Sequence, residues 1–107
     1  NDMFKEFKGA LTEQYVLQQL KTLDDLQVYY WTNDRGSEEI DFLNDNGKEV
    51  IPVEVKAEVN LQAKSLKTYK DKYNPKLSVR TSMADYKPED WLLNLPLYGI
   101  EIIKDLE

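Results

Sequence analysis

Cysteine and histidine are both absent from the 107 residues. Without thiols there is no disulfide, no thiolate nucleophile and no zinc–thiolate site. Without imidazole there is no Ser–His or Cys–His nucleophile pair and no His-ligated metal. Glycine and proline supply only 4 positions each, too few for a low-complexity or collagen-like chain. No apolar run approaches the roughly 18 to 20 residues that a membrane-crossing helix needs, and the start Asn1-Asp2-Met3-Phe4 lacks the layout of a signal peptide, so the expected location is the cytoplasm. Chemistry is left to carboxylate, lysine, hydroxyl and backbone. Groups of that kind hold hard cations, Mg²⁺ or Mn²⁺, if they hold any metal.

What is present fits one compact soluble domain: 41% hydrophobic and 32% charged residues on a chain too short for two cores. The net charge of −6 argues against a nucleic-acid partner, but its distribution is uneven. Residues 59–80 hold six cations (Lys64, Lys67, Lys70, Lys72, Lys76, Arg80) and one anion, Asp71, a balance of +5; the remainder holds eight cations and nineteen anions, a balance of −11. A solvated lysine-rich helix face and a phosphate-facing surface explain that stretch about equally well.

Apolar residues at helical spacing predict one long helix over residues 4–23, through Phe4, Phe7, Leu11, Val16, Leu17, Leu20 and Leu23. After Asp24-Asp25, the β-formers of residues 26–31 read as a strand closed by Asn33-Asp34-Arg35-Gly36. Residues 39–44 and 49–58 read as two strands joined by Asn46-Gly47, a strong hairpin signal. Residues 62–73 read as a sheet-covering helix stopped by Asn74-Pro75. A short strand over 76–81, a polar connection over 83–89, and an apolar tail over 91–106 with a strand and then a helix after Pro96 complete the chain. The fold class is an α/β sandwich, a mixed central sheet flanked by helices.

Three acids and a lysine break their local apolar pattern. Asp41 sits between Ile40 and Phe42 in mid-strand, where aspartate is disfavoured and rarely buried alone. Glu54 and Lys56 alternate with Val53 and Val55, so they leave one face of one strand. If Asn46-Gly47 forms a two-residue loop, Asp45 faces Lys48 and Asp41 faces Pro52, on the face of Glu54 and Lys56; a three-residue loop would reverse this. Glu13 lies on the first helix among Gly9, Ala10, Val16 and Leu17, a small apolar flank that brings the helix close to the sheet. Three carboxylates around one point form an oxygen cage for Mg²⁺ or Mn²⁺, and Lys56 beside it orients a water or stabilises charge on a phosphodiester. Singly, each is more often a surface glutamate, a loop anchor or an exposed cross-strand pair.

The order Glu13 … Asp41 … Glu54-Val55-Lys56 resembles the PD-(D/E)XK phosphodiesterase superfamily, whose fold is the restriction-endonuclease-like α/β core. More narrowly, Gly36-Ser37-Glu38-Glu39-Ile40-Asp41-Phe42, Ile51-Pro52-Val53-Glu54-Val55-Lys56, Lys64-Ser65-Leu66 and Leu95-Pro96-Leu97-Tyr98 are similar to the uncharacterised domain that follows the AAA+ module in many prokaryotic predicted ATPases. The resemblance implies that these residues are the C-terminal part of a longer protein whose N-terminal ATPase module binds the ATP; there is no Walker A motif here. It implies Asp41 and Glu54 as metal ligands, Glu13 as a supporting ligand or water-positioning group, and Lys56 as the catalytic lysine. It places Lys64, Ser65, Lys67 and Lys70 against nucleic acid. The function implied is metal-dependent cleavage of DNA, or of RNA, in service of an ATPase. The alternatives are an inactive nucleic-acid-binding or assembly module of the same fold, and a docking domain whose apolar tail packs on the ATPase portion.

Overall fold

In a computed structural model, residues 2–23, 27–32, 36, 39–56 and 64–105 are described. They form α1 (Asp2–Lys21), β1 (Gln27–Thr32), β2 (Glu39–Asp45), β3 (Val50–Val55), α2 (Lys64–Tyr73), β4 (Val79–Ser82), β5 (Lys87–Pro88), β6 (Leu93–Pro96) and a C-terminal 3-10 helix (Leu97–Asp105). The architecture is α/β with a six-stranded mixed sheet in the order β1-β2-β3-β4-β6-β5. The β1–β2, β2–β3 and β5–β6 pairs are antiparallel, while β3–β4 and β4–β6 are parallel. Among the described residues, no helix is long and apolar enough to cross a membrane.

The elements expected from sequence recur with small shifts. Ala57, Glu58, Gln62, Ala63 and the loop residues 33–35 lie outside the described residues. Helix α2 stops where Asn74-Pro75 predicts: Asn74 takes φ 46° and its N–H still reaches the Lys70 carbonyl at 2.8 Å, after which proline cannot continue the helix. Two elements differ. Residues 83–89 contain the short strand β5, and the tail after Pro96 winds as a 3-10 helix, in a segment whose Gly99 and three isoleucines are mediocre α-helix formers.

The sheet packs on both sides. One cluster joins Val16 and Leu20 of α1 to Phe42, Val53, Leu95 and Ile103, and the other joins Leu66 and Tyr69 of α2 to Ile40 and Leu92. On this second side Trp31 meets Tyr69 edge-on at 5.2 Å between ring centroids and Tyr73 at 6.1 Å, a geometry that aligns ring edges with ring faces. Most of the apolar tail is core, with Leu92, Leu93, Leu95, Ile100 and Ile103 buried, while Tyr98 and Ile102 stay exposed. Val16 and Leu20 of α1 pack on the sheet, whereas Leu11 is exposed and a Cβ on Gly9 would meet nothing within 4 Å. The expected close approach of the helix at Gly9 is therefore not made.

The hairpin register differs from the expected one. Asp45 faces Val50, and the ladder runs on through Leu43 opposite Pro52 to Phe42 opposite Val53. The loop therefore spans four residues. Asn46 closes it, its side-chain oxygen accepting from the N–H groups of Lys48 and Glu49, both at 2.9 Å, and Gly47 supplies the positive φ of 89°. Pro52 is tolerated in an interior strand because pairing with β4 begins only at Val53, so no ladder partner on that side needs its missing N–H.

Candidate metal-dependent site

The site starts from an irregularity in β2. Tyr29 faces Leu43 and Trp31 faces Ile40, so Tyr30 alone is opposed by two residues, Asp41 and Phe42. This is a bulge, and it switches faces: Ile40 joins the α2 cluster and Phe42 the α1 cluster, although residues two apart on a regular strand share a side. Asp41 is the residue inserted at the switch. Its Oδ2 accepts the Val55 N–H at 2.8 Å, which ties the bulge to the end of β3.

The β2–β3 ladder ends at the Phe42–Val53 pair, and the next residue on each strand, Asp41 and Glu54, lines the same cavity. Glu54 and Lys56 flank the same strand end, with Lys56 Nζ 3.7 Å from Glu54 Oε1. A cavity of about 380 Å³ opens there, walled by Glu13, Glu39, Asp41, Glu54, Lys56 and Ser65. Glu54 is 8% exposed, and its Oε2 is buried with no hydrogen-bond partner. An uncompensated buried carboxylate oxygen is costly, so a site of this kind calls for a cation or a proton.

Burial shifts all three carboxyls toward their protonated forms. Burial pushes Glu54 up to about 7, with Asp41 adding to the rise while Lys56 and Arg80 oppose it. Glu13 is also raised to about 7, first by burial and then by the Asp41 carboxylate, with which it shares a hydrogen bond. Residue Glu13 as a whole is exposed, so the withdrawn part is its carboxyl end, turned toward Asp41. Burial raises Asp41 too, opposed by the Val55 N–H, the Glu13 hydrogen bond and Lys56.

The structure thus brings Glu13, Asp41, Glu54 and Lys56 around one cavity and adds Ser65 from the first turn of α2. Among the described residues, no three acidic side chains converge closely enough to form a ready-made metal cage. The donor set nevertheless suits a hard cation, since all of its ligating atoms are oxygens and Oε2 of Glu54 has no other partner. Lys64, Lys67 and Lys70 do not line the cavity. Lys67 is paired with Asp71 at 2.7 Å and stands 5.8 Å from the ring centre of Trp91.

Two residues escaped the sequence reading. Glu39, two positions before Asp41, lines the cavity; its alternation with Asp41 was the available signal. Arg80 counted as one of the six cations of the basic stretch 59–80, but it is 2% exposed and faces Glu54 across the β3–β4 pair. Its Nη2 meets Glu89 Oε2 at 2.9 Å and its Nε donates to Asn94 Oδ1 at 2.9 Å. Ser82 Oγ donates to the same Asn94 oxygen at 2.8 Å, while Asn94 Nδ2 donates to the carbonyls of Ala84 and Asp85. Nothing local in the sequence distinguishes Arg80 from an exposed strand cation.

A mixed-sheet α/β domain with a carboxylate–lysine cavity at its strand ends is the class defined by this geometry. Residues 8–98 match the family described as Domain of unknown function (DUF4143), and the chain belongs to it. Domains of this family are commonly found with AAA-type ATPases. No curated protein and no solved structure matches the chain.

Proposed function

We propose that this domain is a metal-dependent phosphodiesterase module of the PD-(D/E)XK type, with a restriction-endonuclease-like core, acting on DNA beside an ATPase module. The observation that carries the proposal is the buried, unpartnered Oε2 of Glu54 in a cavity shared with Asp41, Glu13 and Lys56. The element order α1-β1-β2-β3-α2-β4, with parallel pairing of β3 and β4, supports the same assignment.

Asp41 and Glu54 would hold Mg²⁺ or Mn²⁺, with Glu13 as supporting ligand. Bound there, a divalent ion would supply a water of lowered pKa and positive charge to offset the negative charge on a phosphodiester. The chain's own groups do the rest. Glu13 and Glu54 lose their protons when the site fills, because ligation requires the carboxylate. The Lys56 ammonium, beside Glu54, carries positive charge toward the phosphate as negative charge grows on it, and it orients the attacking water. Ser65 offers a hydroxyl at the cavity wall. The cationic side chains of α2 then supply the sequence-independent attraction to the backbone that the acidic body lacks.

A divalent titration tests the proposal. Mn²⁺ raises the unfolding midpoint of the wild type and leaves Asp41→Asn unchanged. Mn²⁺-dependent cleavage of linear DNA is lost in Lys56→Ala while that protein still takes up the ion. Equal Mn²⁺ responses in wild type and Asp41→Asn would remove the metal site. The second reading is an inactive binding or assembly module that uses the cationic side chains of α2, whose last turn carries Lys70 and Lys72. It predicts salt-dependent DNA binding with no cleavage in any metal.

A further inference from the structure

A second cavity of about 430 Å³ adjoins the first and shares Glu13, Glu39 and Asp41 with it. Gln14 of α1 and Tyr30 of β1 help to form its remaining wall. Tyr30 lies on an edge strand of the sheet and is 74% exposed. Its ring leans on Phe42, with 5.9 Å between centroids and 42° between planes. One side of the phenol is therefore braced by a buried ring while the rest is open to a ligand. The bulge that inserts Asp41 is the bulge that sets Tyr30 opposite it, so the exposed ring and the carboxylate site are products of one backbone feature.

The chemistry of this groove selects its occupant. Among the described residues, the groove is lined by three carboxyl groups and by no lysine or arginine, whereas the neighbouring cavity adds Lys56, so a phosphate belongs in the neighbouring cavity and the ligand part that enters here is uncharged. An open aromatic ring favours a flat π-face, and the carboxylates and the Gln14 amide offer acceptors to N–H donors at that ligand's edge. A nucleobase meets all three requirements. Its phosphate then falls toward the neighbouring cavity.

We propose that Tyr30 and the adjoining groove take an unpaired nucleobase next to the phosphodiester bound at the Asp41–Glu54 cavity, so that the substrate class is single-stranded or frayed DNA rather than intact duplex. The inference rests on the phosphodiesterase reading and specifies its substrate. In a duplex the bases are stacked on each other, and one would have to be unpaired to reach Tyr30.

The test is fluorescence anisotropy on the 107-residue chain in Ca²⁺. The probes are a labelled oligothymidine, the same strand with abasic residues, and a blunt duplex. The expected order places the oligothymidine tightest. Tyr30→Ala weakens it about five- to a hundredfold, the worth of one base–aromatic stack, and leaves the abasic strand unchanged. Tyr30→Phe, which keeps the ring, retains the affinity. No binding of the oligothymidine, equal or tighter binding of the duplex, or an unchanged Tyr30→Ala would overturn the inference. The Mn²⁺ titration separates the two claims. Mn²⁺ uptake without a Tyr30 effect removes the base site alone, whereas a Tyr30 effect without Mn²⁺ uptake removes the phosphodiesterase reading and keeps the base site.

Discussion

Arg80 and Glu54 face each other across β3 and β4, at 2% and 8% exposure, yet their surroundings treat them in opposite ways. Arg80 is provided for: Glu89 balances its charge, and Asn94 accepts from its Nε and is itself held by Ser82 and two backbone carbonyls. Glu54 has a lysine at 3.7 Å for one oxygen and nothing for the other. Burial of a charge is tolerable when its hydrogen bonds are complete and costly when they are not. The contrast separates a compensated buried charge from an uncompensated one. One network locks the β4–β6–β5 side of the sheet, and the other leaves a carboxylate waiting for a proton or a cation.

The largest effect tests the locked side. Arg80→Met leaves Glu89 and Asn94 without their partner, and urea unfolding should show a loss of about 3 kcal/mol or more. A loss comparable to that of an ordinary surface substitution would erase the distinction. Glu54→Gln should act with the opposite sign. The folded-state value of about 7 against an ordinary 4.5 means the folded chain keeps a proton that the unfolded chain has released. Stability is therefore fully present below about pH 4.5 and is lost as the pH climbs through 7. In the metal-free wild type that loss is about 3 kcal/mol between pH 4.5 and 8.5. Glu54→Gln, neutral throughout, should flatten most of the slope and be the more stable protein at pH 8.5. Equal slopes in the two proteins would show that Glu54 is not the strained group.

Glu13→Gln should flatten the same profile less, because the residue is largely exposed and solvent screens its charge. Lys67→Ala breaks an exposed i,i+4 pair with Asp71 and should leave the midpoint unchanged. A clear shift there would mean that α2 depends on its charges more than on the burial of Leu66 and Tyr69.

Much of the frame was legible. Helical spacing marked α1 and α2, Asn74-Pro75 marked the end of α2, and Asn46-Gly47 marked the hairpin. The candidate residues Asp41, Glu54 and Lys56 were visible as charges interrupting apolar strands. The loop length was misjudged: Asn46-Gly47 fits a two-residue turn, but the Asn46 side chain caps a longer one by accepting from two N–H groups. The extra length is two residues, which is the side-chain period of a strand, so Asp41 still falls in line with Glu54 although Pro52 is no longer its partner. The bulge at Asp41 was invisible, because it is a property of the β1–β2 pair and not of either strand. Arg80 was misread for a related reason. Its partners Glu89 and Asn94 lie 9 and 14 positions away, and only the parallel β4–β6 pairing brings them together.

Proton release on metal addition tests the central claim most directly. Titrating Mn²⁺ into the metal-free chain at pH 6.5 in weak buffer should free about one proton or more per ion bound, because Glu54 and Glu13 must ionise to ligate. Release should fade above pH 8 and be reduced in Glu54→Gln. Binding of Mn²⁺ with no proton release, or release unaltered in Glu54→Gln, would contradict a site built on the buried carboxyl of Glu54.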